Sequence, residues 1–108
     1  MITELFFLGR DNENVLEITA DGKPLDFSGV TRMVMKFRGS QTVVDSALNP
    51  EMIEWDSQGR VMLRLGELQI IPSKYRATLI AYDPAHDDGQ VIFHYEEEKV
   101  ICWFIRQE

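Results

Sequence analysis

The sequence predicts an all-β sandwich of about seven to nine short antiparallel strands with at most one short helical turn. Three observations predict it. Short segments alternate apolar and polar side chains, turn signals built on Gly and Asp recur roughly every ten residues, and no segment sustains a helical period.

Ile2 to Leu8 reads as the first strand, ended by Gly9-Arg10-Asp11-Asn12. Val15 to Thr19 sets Val15, Glu17 and Thr19 against Leu16 and Ile18, the pattern of a half-buried strand. Asp21-Gly22 turns the chain, Pro24 disfavours a central strand directly after it, and Ser28-Gly29 turns it again. Thr31 to Arg38 then points Met33, Met35 and Phe37 one way and Arg32, Lys36 and Arg38 the other, with Val34 the exception. Thr42 to Ser46 is a short strand, followed by a loop containing Pro50. Met52 to Asp56 offers Ile53 and Trp55 on one face. After the turn Ser57-Gln58-Gly59, Arg60 to Leu65 places Val61, Leu63 and Leu65 inward.

Gly66 to Ile71 is expected to form the helical turn, stopped by Pro72. Tyr75 to Tyr82 places Tyr75, Ala77, Leu79 and Ala81 opposite Arg76, Thr78, Ile80 and Tyr82. Asp87-Asp88-Gly89 reads as a turn before a strand from Val91 to Tyr95. Glu96 to Lys99 breaks the pattern, and Val100 to Ile105 reads as a continuous apolar strand buried on both faces. An immunoglobulin-like layout is the most economical arrangement of these elements.

A chain of 108 residues is expected to form one domain, residues 1–108. Its 44% hydrophobic and 27% charged content are those of a globular protein. The longest apolar runs, Leu5 to Leu8 and Val100 to Ile105, fall far below the ~18 residues of a spanning helix, so no membrane partner is expected. No secretory signal is read at the N-terminus, where Glu4 stands in place of a positive region, and the expected location is the cytoplasm. A single cysteine leaves the fold to core packing. The formal net charge of −7 and pI near 4.8 argue against nucleic acid. The nearest approach to a basic patch is Arg32, Lys36 and Arg38, read as a solvated strand face.

Residues 82–98 gather Asp83, His86, Asp87, Asp88, His94 and three glutamates, the richest store of metal-ligand types. Aligning Gly89 with the sixth position of a calcium loop puts Pro84 at the first and Tyr95 at the twelfth, where carboxylates belong. There is no HExxH helix and no CxxC pair for zinc, so no metal site is assigned. Cys102 has only apolar neighbours, which raise a thiol pKa, and reads as core rather than nucleophile. Elbow, phosphate-loop and dinucleotide motifs are missing, so no catalytic residue and no cofactor are assigned. Trp103 reads as core, while Trp55, between acidic neighbours, is open to a surface role.

The order of punctuation carries a resemblance. "DGKPLDFSG" (21–29) runs into "VTRMVMKF", and "GRVMLRL" (59–65), "LQIIPSKYRATLIAYD" (68–83) and "DDG" (87–89) follow. This resembles the N-terminal immunoglobulin-like domains of phage baseplate upper proteins and small stand-alone prophage proteins of the same build. The resemblance implies a non-enzymatic phage or prophage structural or assembly protein of tail or baseplate type, acting by protein–protein contact. It implies other virion or assembly proteins as partners, self-association included, and a location in the bacterial cytoplasm during assembly or in the virion. A small intracellular binding module with a ligand near the acidic 82–98 region is the alternative. The candidate interaction surface is Leu5, Phe6 and Phe7 of the sparsely charged N-terminal strand, together with Trp55.

Overall fold

The computed structural model describes residues 2–97 and 99–106. Its strands, in chain order, are β1 (Ile2–Leu8), β2 (Asn14–Glu17), β3 (Thr19–Ala20), β4 (Lys23–Pro24), β5 (Arg32–Phe37) and β6 (Val43–Asp45). There follow β7 (Ile53–Trp55), β8 (Arg60–Leu63), β9 (Lys74–Asp83), β10 (His86–Phe93) and β11 (Val100–Arg106), with one 3-10 turn at Tyr95–Glu97. The chain is all-β and sandwich-like.

One sheet has the order β1-β11-β9-β5-β6, and a smaller one has the order β2-β8-β7. The ten-residue β9 is the spine. Along one edge it pairs with β5; along the other, β11 takes its first residues and β10 its last. Met33, Met35 and Phe37 face Ala77, Leu79 and Ala81 across that pairing and are all buried. They pack in one cluster with Leu16, Ile53, Val61 and Leu63 from the smaller sheet. Phe104 lies 5.1 Å from Phe6 and 5.3 Å from Phe37, centroid to centroid. Such ring pairs add ~0.5–1.5 kcal/mol each beyond their buried area.

The structure departs from the sequence reading in four places. β1 runs parallel to β11, with Ile2 opposite Val100 and Leu8 opposite Arg106, so the larger sheet is mixed. β11 is buried on one face only: Val100, Cys102 and Phe104 point inward while Trp103 is 36% exposed. An edge strand laid on β11 covers its backbone but leaves its outer face open.

The third departure is the helical turn. Gly66–Ile71 forms turns in which Leu68 N–H donates to Leu65 O, and Thr42 Oγ1 donates to Gln69 O at 2.8 Å. This path buries Leu65, Leu68 and Ile70 together. The 3-10 turn falls at Tyr95–Glu97 instead, where His94 N–H donates to Glu97 Oε1 and Glu97 N–H donates back to His94 O. That reciprocal pair works as a capping box does.

Fourth, Asp87-Asp88-Gly89 is not the turn. The hairpin reverses at Pro84-Ala85, where Asp83 Oδ1 accepts the Ala85 and His86 N–H groups. The Asp-Pro pair pre-forms this turn. Asp87-Asp88-Gly89 falls in a bulge between the His86–Asp83 and Gln90–Ala81 pairs, with Gly89 at φ 90°.

Candidate interaction surface

Side chains of adjacent strands meet in cross-strand rows, and the register fixes which share a face. On the outer face of the larger sheet, Leu5 of β1, Trp103 of β11 and Lys74 of β9 form one row. Thr3, Ile101 and Arg76 form the row beside it, and Phe7 with Ile105 the row on the other side. Leu5 is 40% exposed, and Phe7, Ile101 and Ile105 are half-buried. Lys74 Nζ sits 4.2 Å from the centre of the Trp103 ring. An ammonium over an indole face is held by the ring quadrupole and keeps the indole in place.

Cations flank these rows. Arg38 N–H donates to Arg76 O, which brings the two side chains beside each other, and Lys36 stands opposite Thr78. The Arg38 guanidinium lies 5.0 Å from the Tyr95 ring centre. The outward positions of this end of the sheet hold Lys36, Arg38, Lys74 and Arg76, and the 3-10 turn that carries Glu96 and Glu97 packs beside them, its Tyr95 N–H donating to Thr78 Oγ1 at 3.0 Å. Arg32, on the same face at the other end of β9, is bound by Asp45 of β6.

The four residues expected to form the surface separate. Leu5 and Phe7 lie on the outer face. Phe6 does not: it is fully buried against Phe104, because its even position faces the smaller sheet. Trp55 shares the inner parity of Ile53 and packs half-buried at the rim of the core, beside Thr31, Ser46 and Pro50. Trp103, read as core, is instead the outermost large side chain of β11. The wholly apolar run Val100 to Ile105 carries no alternation that would have found it; the pairing of β11 with β1 and β9 sets the outward face of Ile101, Trp103 and Ile105.

The β1 edge is covered. Asn12 Nδ2 donates to Phe7 O and its Oδ1 accepts Phe7 N–H, while Asn14 Nδ2 donates to Leu5 O at 2.9 Å and to Glu4 Oε2 at 2.8 Å. Two asparagine amides thus stand in for part of a missing strand, which blunts the edge as a pairing template.

In the acidic region, His86 Nδ1 lies 2.9 Å from Asp83 Oδ1, and this contact holds the Asp83 carboxyl below its ordinary range. His94 Nδ1 accepts Glu96 N–H, and its ring lies 4.2 Å from that of Tyr95. Hydrogen bonding from His94 N–H, then from Lys99, depresses the Glu97 carboxyl. The two histidines are used in separate local turns. Among the described residues no three ligand types converge as a metal would require, and Glu98 lies outside them.

A cleft of about 560 Å³ opens between the Arg10–Glu13 loop and Glu51, Arg64 and Glu67. Arg64 is held there by Glu13 at 2.8 Å and by Glu54 at 3.4 Å. The lining contains no serine, cysteine, histidine, lysine or tyrosine. Cys102 is fully buried in the core, and burial, then the Glu4 charge, pushes its thiol up to about 12. No family model matches the chain, and no curated protein or solved structure gives a significant match. Among the described residues no helix is long and apolar enough to cross a membrane.

Proposed function

We propose that this chain is a non-enzymatic contact module, a structural or assembly protein of phage or prophage type that works through the outer face of its larger sheet. The row Leu5, Trp103 and Lys74 carries the reading. A Trp steadied by a cation and flanked by aliphatic side chains has the composition of an interface hot spot. The polar groups with chemical potential are occupied elsewhere: Cys102 is sealed in the core, and both histidines serve local turns. The phage assignment rests on the turn-and-strand order that resembles baseplate upper proteins. Other virion proteins or further copies are the partners this implies, met in the bacterial cytoplasm during assembly.

Purified particles from the parent phage provide the test. Mass spectrometry is expected to find the protein in them at a fixed ratio to the other tail components. A Trp103→Ser variant that folds normally is expected to be lost from the particles. Absence of the wild-type protein from particles and from assembly intermediates overturns the virion assignment.

A further inference from the structure

β1 is held to the rest of the chain in a way that a second copy can reproduce. Among the described residues it pairs with β11 alone, in register from Ile2 opposite Val100 to Leu8 opposite Arg106. Phe6 and Leu8 supply its buried contacts, with Phe6 stacked on Phe104. One short loop, residues 9–13, joins β1 to β2 of the smaller sheet. That loop turns back with Gly9 at φ 80°, and the Gly9 N–H donates to Gly66 O at 2.7 Å. Asn12 clasps the turn: Nδ2 donates to Arg10 O at 2.8 Å and to Phe7 O at 3.1 Å, and Oδ1 accepts Phe7 N–H. The strand and the slot it fills are therefore distinct from the loop that connects them.

We infer that β1 exchanges between copies, the β1 of one chain filling the β11 slot of a second in a reciprocal, two-fold swapped dimer. The occupant fits because it is the same seven residues in the same register. The Phe6–Phe104 stack and the hydrogen bond from Asn14 Nδ2 to Leu5 O then form between chains. Only the loop differs between the two states, with Gly9 and Asn12 released as it straightens. The loop therefore sets the balance, since exchange of an identical element is a low-cost route to a dimer. The closed monomer has the advantage of its tether, which for a short linker acts as an effective concentration of ~1 mM. Chains folding at a comparable concentration meet foreign β11 slots as often as their own. The exchange stands without the contact-module reading and adds a consequence to it. In the dimer Leu5 and Phe7 come from the second chain, so each Leu5–Trp103–Lys74 row is completed by a partner copy.

Refolding the full chain with a reporter disulfide tests this. Thr3 and Ile101 are direct partners on the outer face. Thr3→Cys with Ile101→Cys, in a Cys102→Ala background, therefore links β1 to whichever β11 it fills. After refolding at ~1 µM and oxidation, a denaturing gel is expected to show single chains; at ~1 mM, a share of covalent dimer comparable to the single chains. Peptide mapping confirms that position 3 is linked to position 101. Asn12→Ala, which opens the clasp, is expected to raise the dimer share. Deleting residues 11 and 12, so that the loop no longer reaches back, is expected to give dimer at both concentrations. Circular dichroism and thermal melting establish that each variant folds. A reporter protein without covalent dimer after refolding at millimolar concentration overturns the inference, whatever the deletion does. A dimer whose disulfides all lie within single chains overturns it as well. Particle incorporation that depends on Trp103, found together with only intrachain disulfides, refutes exchange and leaves the contact-module reading standing. Covalent dimers from a protein absent from particles support exchange and count against the virion assignment.

Discussion

Arg32 and Asp45 clamp the ends of two paired strands. The guanidinium Nε donates to Asp45 Oδ1 at 2.9 Å and Nη2 to Oδ2, while Oδ1 also accepts Ala47 N–H at 3.0 Å. Asp45 is one of the two buried polar residues among those described. A single carboxylate thus fixes the β5–β6 register, the turn that follows β6 and the guanidinium that lies 4.8 Å from the Tyr82 ring centre.

Replacing Asp45 with Asn is expected to lower stability at pH 7 by ~1–3 kcal/mol, because the guanidinium loses its charged partner. The pH dependence has a definite sign. The Arg32 hydrogen bonds hold the Asp45 carboxyl below its ordinary range, against the opposing effect of burial. The unfolded chain therefore takes up this proton first as pH falls. The stabilisation is complete above the unfolded value of ~3.9 and is lost as pH drops through the lower folded value. Thermal unfolding between pH 7 and pH 2 is expected to show the wild type and Asp45→Asn converging only at the acid end. A constant gap across the range would refute the assignment.

Leu5 and Phe6 are neighbours in sequence with opposite fates. Phe6→Ala removes a ring stacked on Phe104 in the core and is expected to cost ~3–5 kcal/mol in urea unfolding. Leu5→Ala trims a side chain that is 40% exposed and is expected to cost less than ~1 kcal/mol. Equal losses would mean that the parity of β1 is reversed.

Gly66 allows two segments to touch. A Cβ there would overlap the Arg10 carbonyl, and Gly66 O accepts the Gly9 N–H at 2.7 Å. Gly66→Ala is expected to push the loop after β1 away, at ~1–3 kcal/mol. Faster exchange of the Gly9 amide is the local readout. Unchanged Gly9 protection would show that the contact yields without consequence.

Cys102 is expected to resist thiol reagents in the native protein and to react stoichiometrically in denaturant. Its sulfur is fully buried, and its pKa near 12 leaves almost no thiolate at neutral pH. Rapid labelling under native conditions would contradict the core packing of β11.

Much of the fold was legible wherever alternation was clean. Met33-Val34-Met35-Lys36-Phe37, Val61-Met62-Leu63 and the segment from Tyr75 to Tyr82 each carry their inner and outer faces in the sequence itself, and β5, β8 and β9 follow them. Legibility failed where consecutive residues are all apolar. Leu5-Phe6-Phe7 and Ile101-Cys102-Trp103 contain no parity signal; only the pairing of β1 with β11 decides which side faces the core. That choice turned Phe6 inward and Trp103 outward, and so changed the membership of the interaction surface. Asp87-Asp88-Gly89 misled for another reason: Gly at positive φ serves a bulge as well as a turn, and Asp83-Pro84 had already reversed the chain.

The parallel union of β1 with β11 also orders events during synthesis. Ile2 finds its partner only at Val100, so β1 stays unpaired until β11 has been made. At ~5–20 residues per second, residues 2–8 wait several seconds with Leu5, Phe6 and Phe7 uncovered. Closing so long a loop also carries an entropic cost, one that grows slowly with loop length. The newborn chain is therefore exposed to proteases and to wrong partners at β1, whose pairing sets the moment at which this edge of the sheet closes.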